Sequence, residues 1–153
     1  MKKSGFTFIE LLFTVTIMAV ISAITLAKYN DFTERKKLET DAYKLVDVIE
    51  LAKKKSITGD LYSSCSNFQG YSINITLNSY SLRFYCNGGY ETIASYNFST
   101  NNSVTSGEVN WKFNPIYGQL DTAASLTLQN SQSGKEIIIS IAQSGLVTTG
   151  QIN

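Results

Sequence analysis

The sequence contains no histidine, a single proline and only two cysteines. The absence of histidine removes the usual general base, the usual proton shuttle and the commonest metal ligand. Two cysteines without histidine supply too few ligands for a metal site. The sequence also shows no nucleophile paired with a base and no phosphate-binding loop. We therefore expect a protein that is not an enzyme and that holds no metal and no cofactor.

Charge is sparse and unevenly distributed. The formal net charge is +1, and most lysines and arginines lie within the first 55 residues. After Asp60 the only basic residues are Arg83, Lys112 and Lys135, so the C-terminal part is nearly neutral. Affinity for nucleic acid depends on neutralising phosphates, and this composition argues against nucleic acid as a partner.

One long apolar run occupies the N-terminus. Phe6 to Ala27 contains Glu10 as its only charged residue, with Lys2 and Lys3 before it and Lys28 after it. As a helix, these residues would extend roughly 33 Å, enough to span a bilayer core with the N-terminus in the cytoplasm. A secretory signal peptide ending at Ala27 is the alternative. A disposable signal has no need of the intramembrane acid Glu10, which favours an anchor with a function.

The residues around Glu10 carry a family resemblance. The run Lys2-Lys3-Ser4-Gly5-Phe6-Thr7-Phe8-Ile9-Glu10-Leu11-Leu12 resembles the N-terminal signal of type IV prepilins and type II secretion pseudopilins. The resemblance implies cleavage between Gly5 and Phe6 and N-methylation of Phe6. It also implies that Glu10 is the assembly charge, neutralised by the Phe6 ammonium of a neighbouring subunit. Because a buried unpaired charge is costly, this pair would select the register between subunits.

The same resemblance implies partners and a location. We expect other pilins or pseudopilins in a filament, a prepilin peptidase/methyltransferase, an inner-membrane assembly platform, and membrane lipid before assembly. The chain would cross the inner (cytoplasmic) membrane once with its head outside. It would then join a filament in the periplasm or at the cell surface. A DNA-binding competence pilin and a membrane-anchored adhesin with a tyrosine-rich head are the alternatives.

Residues 28 to about 57 have the pattern of an amphipathic helix. Apolar residues recur at steps of three and four at Leu38, Ala42, Leu45, Ile49 and Ala52. Polar residues, among them Glu34 and Asp41, are expected on the solvent side, and Gly59 marks the C-terminus. The run Lys53 to Lys55 suits the negative end of the helix dipole. A surface for lipid headgroups or nucleic acid is the alternative for this run.

Alternating residues predict a β-rich head. Predicted strands cover 71–77, 80–85, 91–98, 108–113, 125–129, 136–142 and 146–149, with a two-residue turn at Asn78-Ser79. The expected fold is α+β, with a long N-terminal transmembrane-plus-amphipathic helix packed on an antiparallel β-sheet or β-sandwich head. We expect a leader at 1–5, a transmembrane assembly helix at 6–28, an amphipathic helix at 29–58 and the head at 59–153.

Two further features concern the head. Cys65 and Cys86 enclose the first hairpin and can pair in an oxidising compartment, with two free buried thiols as the alternative. The segments Phe113-Asn-Pro-Ile-Tyr-Gly118 and Ser144-Gly145-Leu146 resemble turns in the head of H-type pseudopilins and FimT/FimU-type minor pilins. This resemblance favours a minor subunit. Residues 146–149 contain none of the arginines that DNA-binding members carry there.

Overall fold

A computed structural model describes residues 7–105 and 109–152, with the side chains of all of these except residues 23–27. These residues form helix α1 (Phe8–Thr58) and strands β1 (Phe68–Ile75), β2 (Ser79–Cys86), β3 (Gly89–Asn97), β4 (Asn102–Val104), β5 (Val109–Phe113), β6 (Ala124–Asn130), β7 (Glu136–Ile141) and β8 (Val147–Thr149). The strands make two antiparallel four-stranded sheets, β3-β2-β1-β5 and β4-β6-β7-β8. The predicted α+β class, a helix followed by antiparallel sheets, is confirmed.

Helix α1 runs without interruption for 51 residues. No proline or glycine occurs within it, and at 1.5 Å per residue it is about 76 Å long. It ends at Gly59, which has a left-handed φ of 64° and donates its N–H to the Lys55 carbonyl. Glycine adopts this conformation without steric cost, so Gly59 ends the helix as predicted.

The core lies between the second half of α1 and both sheets. The predicted apolar stripe is confirmed, because Leu38, Ala42, Leu45, Ile49 and Ala52 are all at most 2% exposed. The facing side chains come from alternate positions of the strands, namely Tyr71, Ile73 and Phe84 from the first sheet and Leu126, Leu128 and Ile139 from the second. Burying each large aliphatic side chain contributes about 1.5–3 kcal/mol, so this stripe fixes the head to the helix.

Two details of the sheets differ from the predictions. The first hairpin turns at Leu77-Asn78, one residue before the predicted turn, because Thr76 N donates to the Ser79 carbonyl at 2.8 Å. Leu77 is 55% exposed, so its apolar side chain belongs to the turn and not to the strand. Strand β4 was not predicted. Its three residues pair with β6, and a segment this short has too few positions to show alternation.

The predicted solvent exposure of Glu34 and Asp41 is wrong, since they are only 6% and 3% exposed. Both carboxylates accept hydrogen bonds from the second sheet or the loop that leads into it: from Ser99 in the β3–β4 loop, from Asn102 at the start of β4 and from Asn130 at the end of β6. We call Glu34, Asp41, Ser99, Asn102 and Asn130 the neck network. Asp41 accepts from Ser99 N at 2.6 Å and from Asn102 Nδ2 at 2.8 Å, and Glu34 accepts from Asn130 Nδ2 at 2.9 Å. Buried carboxylates are stable only with such partners.

Two more contacts complete the neck network. Asn130 Nδ2 also donates to Asn102 Oδ1 at 2.7 Å, which connects the two carboxylates through the two amides. Lys37 pairs with Glu34 from the same face of the helix. The hydrogen bonds from Lys37 and Asn130 hold the pKa of Glu34 below its ordinary value. The network thus joins α1 to the β3–β4 loop and to the second sheet through polar contacts.

Candidate functional site

Residues 8–22 of α1 are mostly apolar, and their side chains are exposed. Ten large apolar side chains between Phe8 and Ile21 are between 45% and 77% exposed: Phe8, Ile9, Leu11, Leu12, Phe13, Val15, Ile17, Met18, Val20 and Ile21. A helix that is apolar all round is normally buried in protein or lipid. An apolar surface this large and contiguous marks a site of association. We call Phe8 to Ser22 the apolar segment.

The hydroxyl groups within the apolar segment are satisfied by its own backbone. Thr14, Thr16 and Ser22 each donate to a carbonyl three or four residues earlier, at 2.7–2.8 Å. A hydroxyl that is satisfied locally needs no water or outside partner. These residues therefore do not prevent the segment from entering apolar surroundings.

Glu10 forms a capping box with Thr7 at the start of α1. Its Oε2 accepts from Thr7 N at 2.9 Å and from Thr7 Oγ1 at 2.8 Å, while Glu10 N donates to Thr7 Oγ1 at 3.4 Å. Thr7 has the extended conformation that is typical of an N-cap residue. Both hydrogen bonds that Glu10 accepts from the described residues go to Oε2, and none of them goes to Oε1.

The prediction treated Glu10 only as a charge for contact between subunits. The sequence also contains the capping-box signature Thr7-x-x-Glu10 ahead of an apolar run, and this signal could have identified Thr7. The predicted cleavage and methylation residues, Gly5 and Phe6, lie outside the described residues.

The two cysteines are joined in the structure. Cys65 and Cys86 form a disulfide with their Cα atoms 5.9 Å apart. The bond ties the loop that follows α1 to the last residue of β2. Beside it the rings of Phe68 and Phe84 stack with centroids 5.7 Å apart. This end of the first sheet is therefore closed by a covalent bond and by aromatic packing.

Two of the three lysines near the end of α1 have partners within the chain. Lys53 Nζ donates to the Gly145 carbonyl at 2.7 Å, and Lys55 pairs with Asp60. The run Lys53 to Lys55 thus combines a contact to the β7–β8 turn with charge at the helix C-terminus, where cations are favoured. This arrangement supports the structural interpretation of the run over a surface for lipid or nucleic acid.

Measured by hydropathy, no helix in the described part of the chain is both long and apolar enough to cross a membrane. The predicted transmembrane character of residues 6–28 is therefore not shown. Within residues 7–105 and 109–152, no cluster of three acidic or cysteine side chains is placed to hold a metal ion.

Comparison with known proteins identifies the N-terminus alone. A family model described as the prokaryotic N-terminal methylation motif matches residues 1–26. No curated protein and no solved structure was found to match the chain. The motif fits a type IV pilin-like or pseudopilin subunit, which is a structural protein that is processed by prepilin peptidase and assembles with other pilins. The resemblance of the head to H-type and FimT/FimU-type subunits has no support from these comparisons.

Proposed function

We propose that this protein is a minor pilin or pseudopilin, processed after Gly5 and assembled through α1 into a type IV pilus or a type II secretion pseudopilus. The proposal rests on one observation, namely that the methylation motif and the exposed apolar surface occupy the same residues. The methylation motif at residues 1–26 covers the apolar segment, whose ten large apolar side chains are 45% to 77% exposed. Bundling of such helices from several subunits would bury this surface.

Glu10 would act as the assembly charge. Cleavage after Gly5 would place a new ammonium group at Phe6, next to the N-cap residue Thr7. When helices bundle, the ammonium group of one subunit can bind Oε1 of Glu10 in its neighbour while Oε2 keeps its contacts with Thr7. An unpaired carboxylate among apolar side chains would be costly, so subunits in the wrong register would be rejected.

Before assembly, we propose that the apolar segment anchors the chain in the inner membrane. The apolar sequence from Phe6 to Ala27, the leader lysines and the internally satisfied hydroxyls support this location. The assembly platform in the same membrane would then receive the processed chain.

The minor-subunit role rests on the resemblance of the two head turns. In the fold these turns meet at the end of α1, because a Cβ on Gly145 would lie 2.3 Å from the Gly118 carbonyl oxygen. The number of copies in sheared filaments tests this role. We expect far fewer copies than filament subunits, and abundance equal to that of the main subunit would contradict the minor role.

Two experiments test the processing and the pairing. Mass spectrometry of the mature protein should find a chain that starts at N-methyl-Phe6, whereas an intact Met1 or a start at Lys28 would refute the processing.

Glu10→Gln keeps an oxygen to accept from Thr7 but removes the charge, so it should enter the membrane and fail to enter filaments. Glu50→Gln, which removes an exposed acid from the same helix, is the matched control. Equal incorporation of both variants would contradict the pairing.

A further inference from the structure

The face of the first sheet that points away from α1 carries two of the few cations in the head. Arg83 on β2 and Lys112 on β5 are each paired in register with Ser72 of the central strand β1. Two strand spacings separate their backbones, or about 10 Å. None of the residues of β1, β2 and β5 is acidic. This face is therefore positively charged although the head as a whole is nearly neutral.

Aromatic rings hold both cations in place. The guanidinium carbon of Arg83 lies 4.4 Å from the centroid of the Tyr90 ring, and Lys112 Nζ lies 4.8 Å from that of Tyr85. The two tyrosine rings are 5.6 Å apart, and Asn110 Nδ2 donates to the Tyr85 hydroxyl at 3.1 Å. No carboxylate of the described residues pairs with Arg83 or Lys112. The rings orient the two charges without neutralising them.

Two buried polar atoms on this face lack a partner. Ser72 is fully buried, and its hydroxyl oxygen makes no hydrogen bond with any described residue. The same is true of Arg83 Nε, one strand away. Buried polar atoms are nearly always hydrogen-bonded, and each exception calls for an explanation. Both atoms are shielded from the surface, but the two cations beside them have no carboxylate partner among the described residues, which favours a ligand with acceptor oxygens at the cations.

We propose that this face binds a carboxylated saccharide, such as the uronic acid units of an acidic polysaccharide. A carboxylate fits the fork of a guanidinium group, which Tyr90 already holds in one plane. Asn110, which is exposed, supplies hydrogen-bonding groups for sugar hydroxyls. Tyr90 is 57% exposed and offers an amphipathic ring against which a sugar ring can pack. The site is independent of the assembly function of the N-terminus.

Nucleic acid fits the same face less well. Its affinity grows with the number of phosphates neutralised, and this face offers two cations. Proteins that bind single strands without sequence preference stack successive bases on aromatic side chains in a basic groove. Here Tyr85 is already in contact with Lys112, Asn110 and Tyr90, which leaves Tyr90 as the ring available for stacking.

The test uses the full chain in detergent micelles at low ionic strength. The probes are hexagalacturonate, its methyl ester, and an oligothymidylate that carries the same number of negative charges. We expect saturable binding of hexagalacturonate and at least about tenfold weaker binding of the neutral ester, because charge-assisted hydrogen bonds are lost. Equal binding of the acid and its ester would overturn the proposal. Tighter binding of the oligothymidylate would overturn it in favour of nucleic acid.

Variants locate the site. Arg83→Gln and Lys112→Gln should each weaken binding of hexagalacturonate by about tenfold or more. Lys135→Gln removes one charge from the turn before β7 and should leave the affinity unchanged. If all three charge variants weaken binding equally, net charge alone is responsible and the proposed site is wrong.

Discussion

Asp41 provides the sharpest test of how the head is held on the helix. Its Oδ2 accepts two N–H groups, from Ser99 N and Asn102 Nδ2, while its Oδ1 meets the Ser99 hydroxyl at 3.0 Å. Asp41→Ala would leave both N–H groups without an acceptor. At about 1–3 kcal/mol for each unsatisfied buried group, the free energy of unfolding should fall by about 2–6 kcal/mol. This is a large part of the 5–15 kcal/mol that is typical of a domain.

Asp41→Asn should behave differently because of this geometry. An amide oxygen at the Oδ2 position accepts both N–H groups, and the amide NH₂ at the other position donates to the Ser99 hydroxyl. We expect its stability within about 1 kcal/mol of the wild type, since every hydrogen bond has a replacement.

Urea unfolding of the full chain, followed by circular dichroism, measures both variants of Asp41. Asp47→Ala is the matched control, because Asp47 is exposed on the same helix and should change stability by at most about 0.5 kcal/mol. If Asp41→Ala lowers the free energy of unfolding by no more than Asp47→Ala does, the neck network does not hold the head on the helix. If Asp41→Asn lowers the free energy of unfolding as much as Asp41→Ala does, stability depends on the charge of Asp41 and not on the geometry of its hydrogen bonds.

Three further measurements follow from the structure. Removing the disulfide by Cys65→Ser and Cys86→Ser should lower stability by about 3 kcal/mol and abolish the effect of reductant on the urea midpoint; an unchanged midpoint would contradict this. Gly145→Ala should destabilise more than Gly134→Ala, because both glycines have positive φ but only Gly145 would bring a Cβ within 2.3 Å of a carbonyl oxygen; equal losses would show that the turn contact is unimportant. Burial and the charge of Asp41 raise the pKa of Tyr80 to about 12 from an ordinary value near 10. The unfolded chain therefore loses this proton first, and the stabilisation that is complete below pH about 10 disappears as the pH rises through about 12. Tyr80→Phe should show a smaller fall of the urea midpoint over that range, and an identical fall would refute the assignment.

The spacing of apolar residues and the position of Gly59 in the sequence predicted the elements that depend on residues close together in the chain. The apolar stripe on α1 repeats at helical spacing, and Gly59 permits the left-handed residue that ends the helix. Most strands alternate clearly enough to be recognised, because one side of each sheet faces the core. The capping box at Thr7 was equally readable, because its signature spans only four residues.

Buried acids, short strands and charged faces that depend on residues far away in the sequence could not be predicted from local patterns. Asp41 and Glu34 look like ordinary surface acids, because the amides that bury them, Asn102 and Asn130, lie 61 and 96 residues away in the chain. Strand β4 exists because β6 pairs with it, and its own three residues carry no periodic signal. The charged face of the first sheet likewise arises from register, which brings Arg83 and Lys112 to the two sides of Ser72.

The unbroken helix α1 has a mechanical consequence. A helix of about 76 Å with no proline or glycine contains no residue at which helices usually kink. A force applied to its N-terminal half is therefore transmitted to the head with little bending of the helix. The neck network joins α1 to the head at Glu34 and Asp41, so part of that force passes through its hydrogen bonds. In the proposed filament, these hydrogen bonds would help each head to stay attached to its helix under tension.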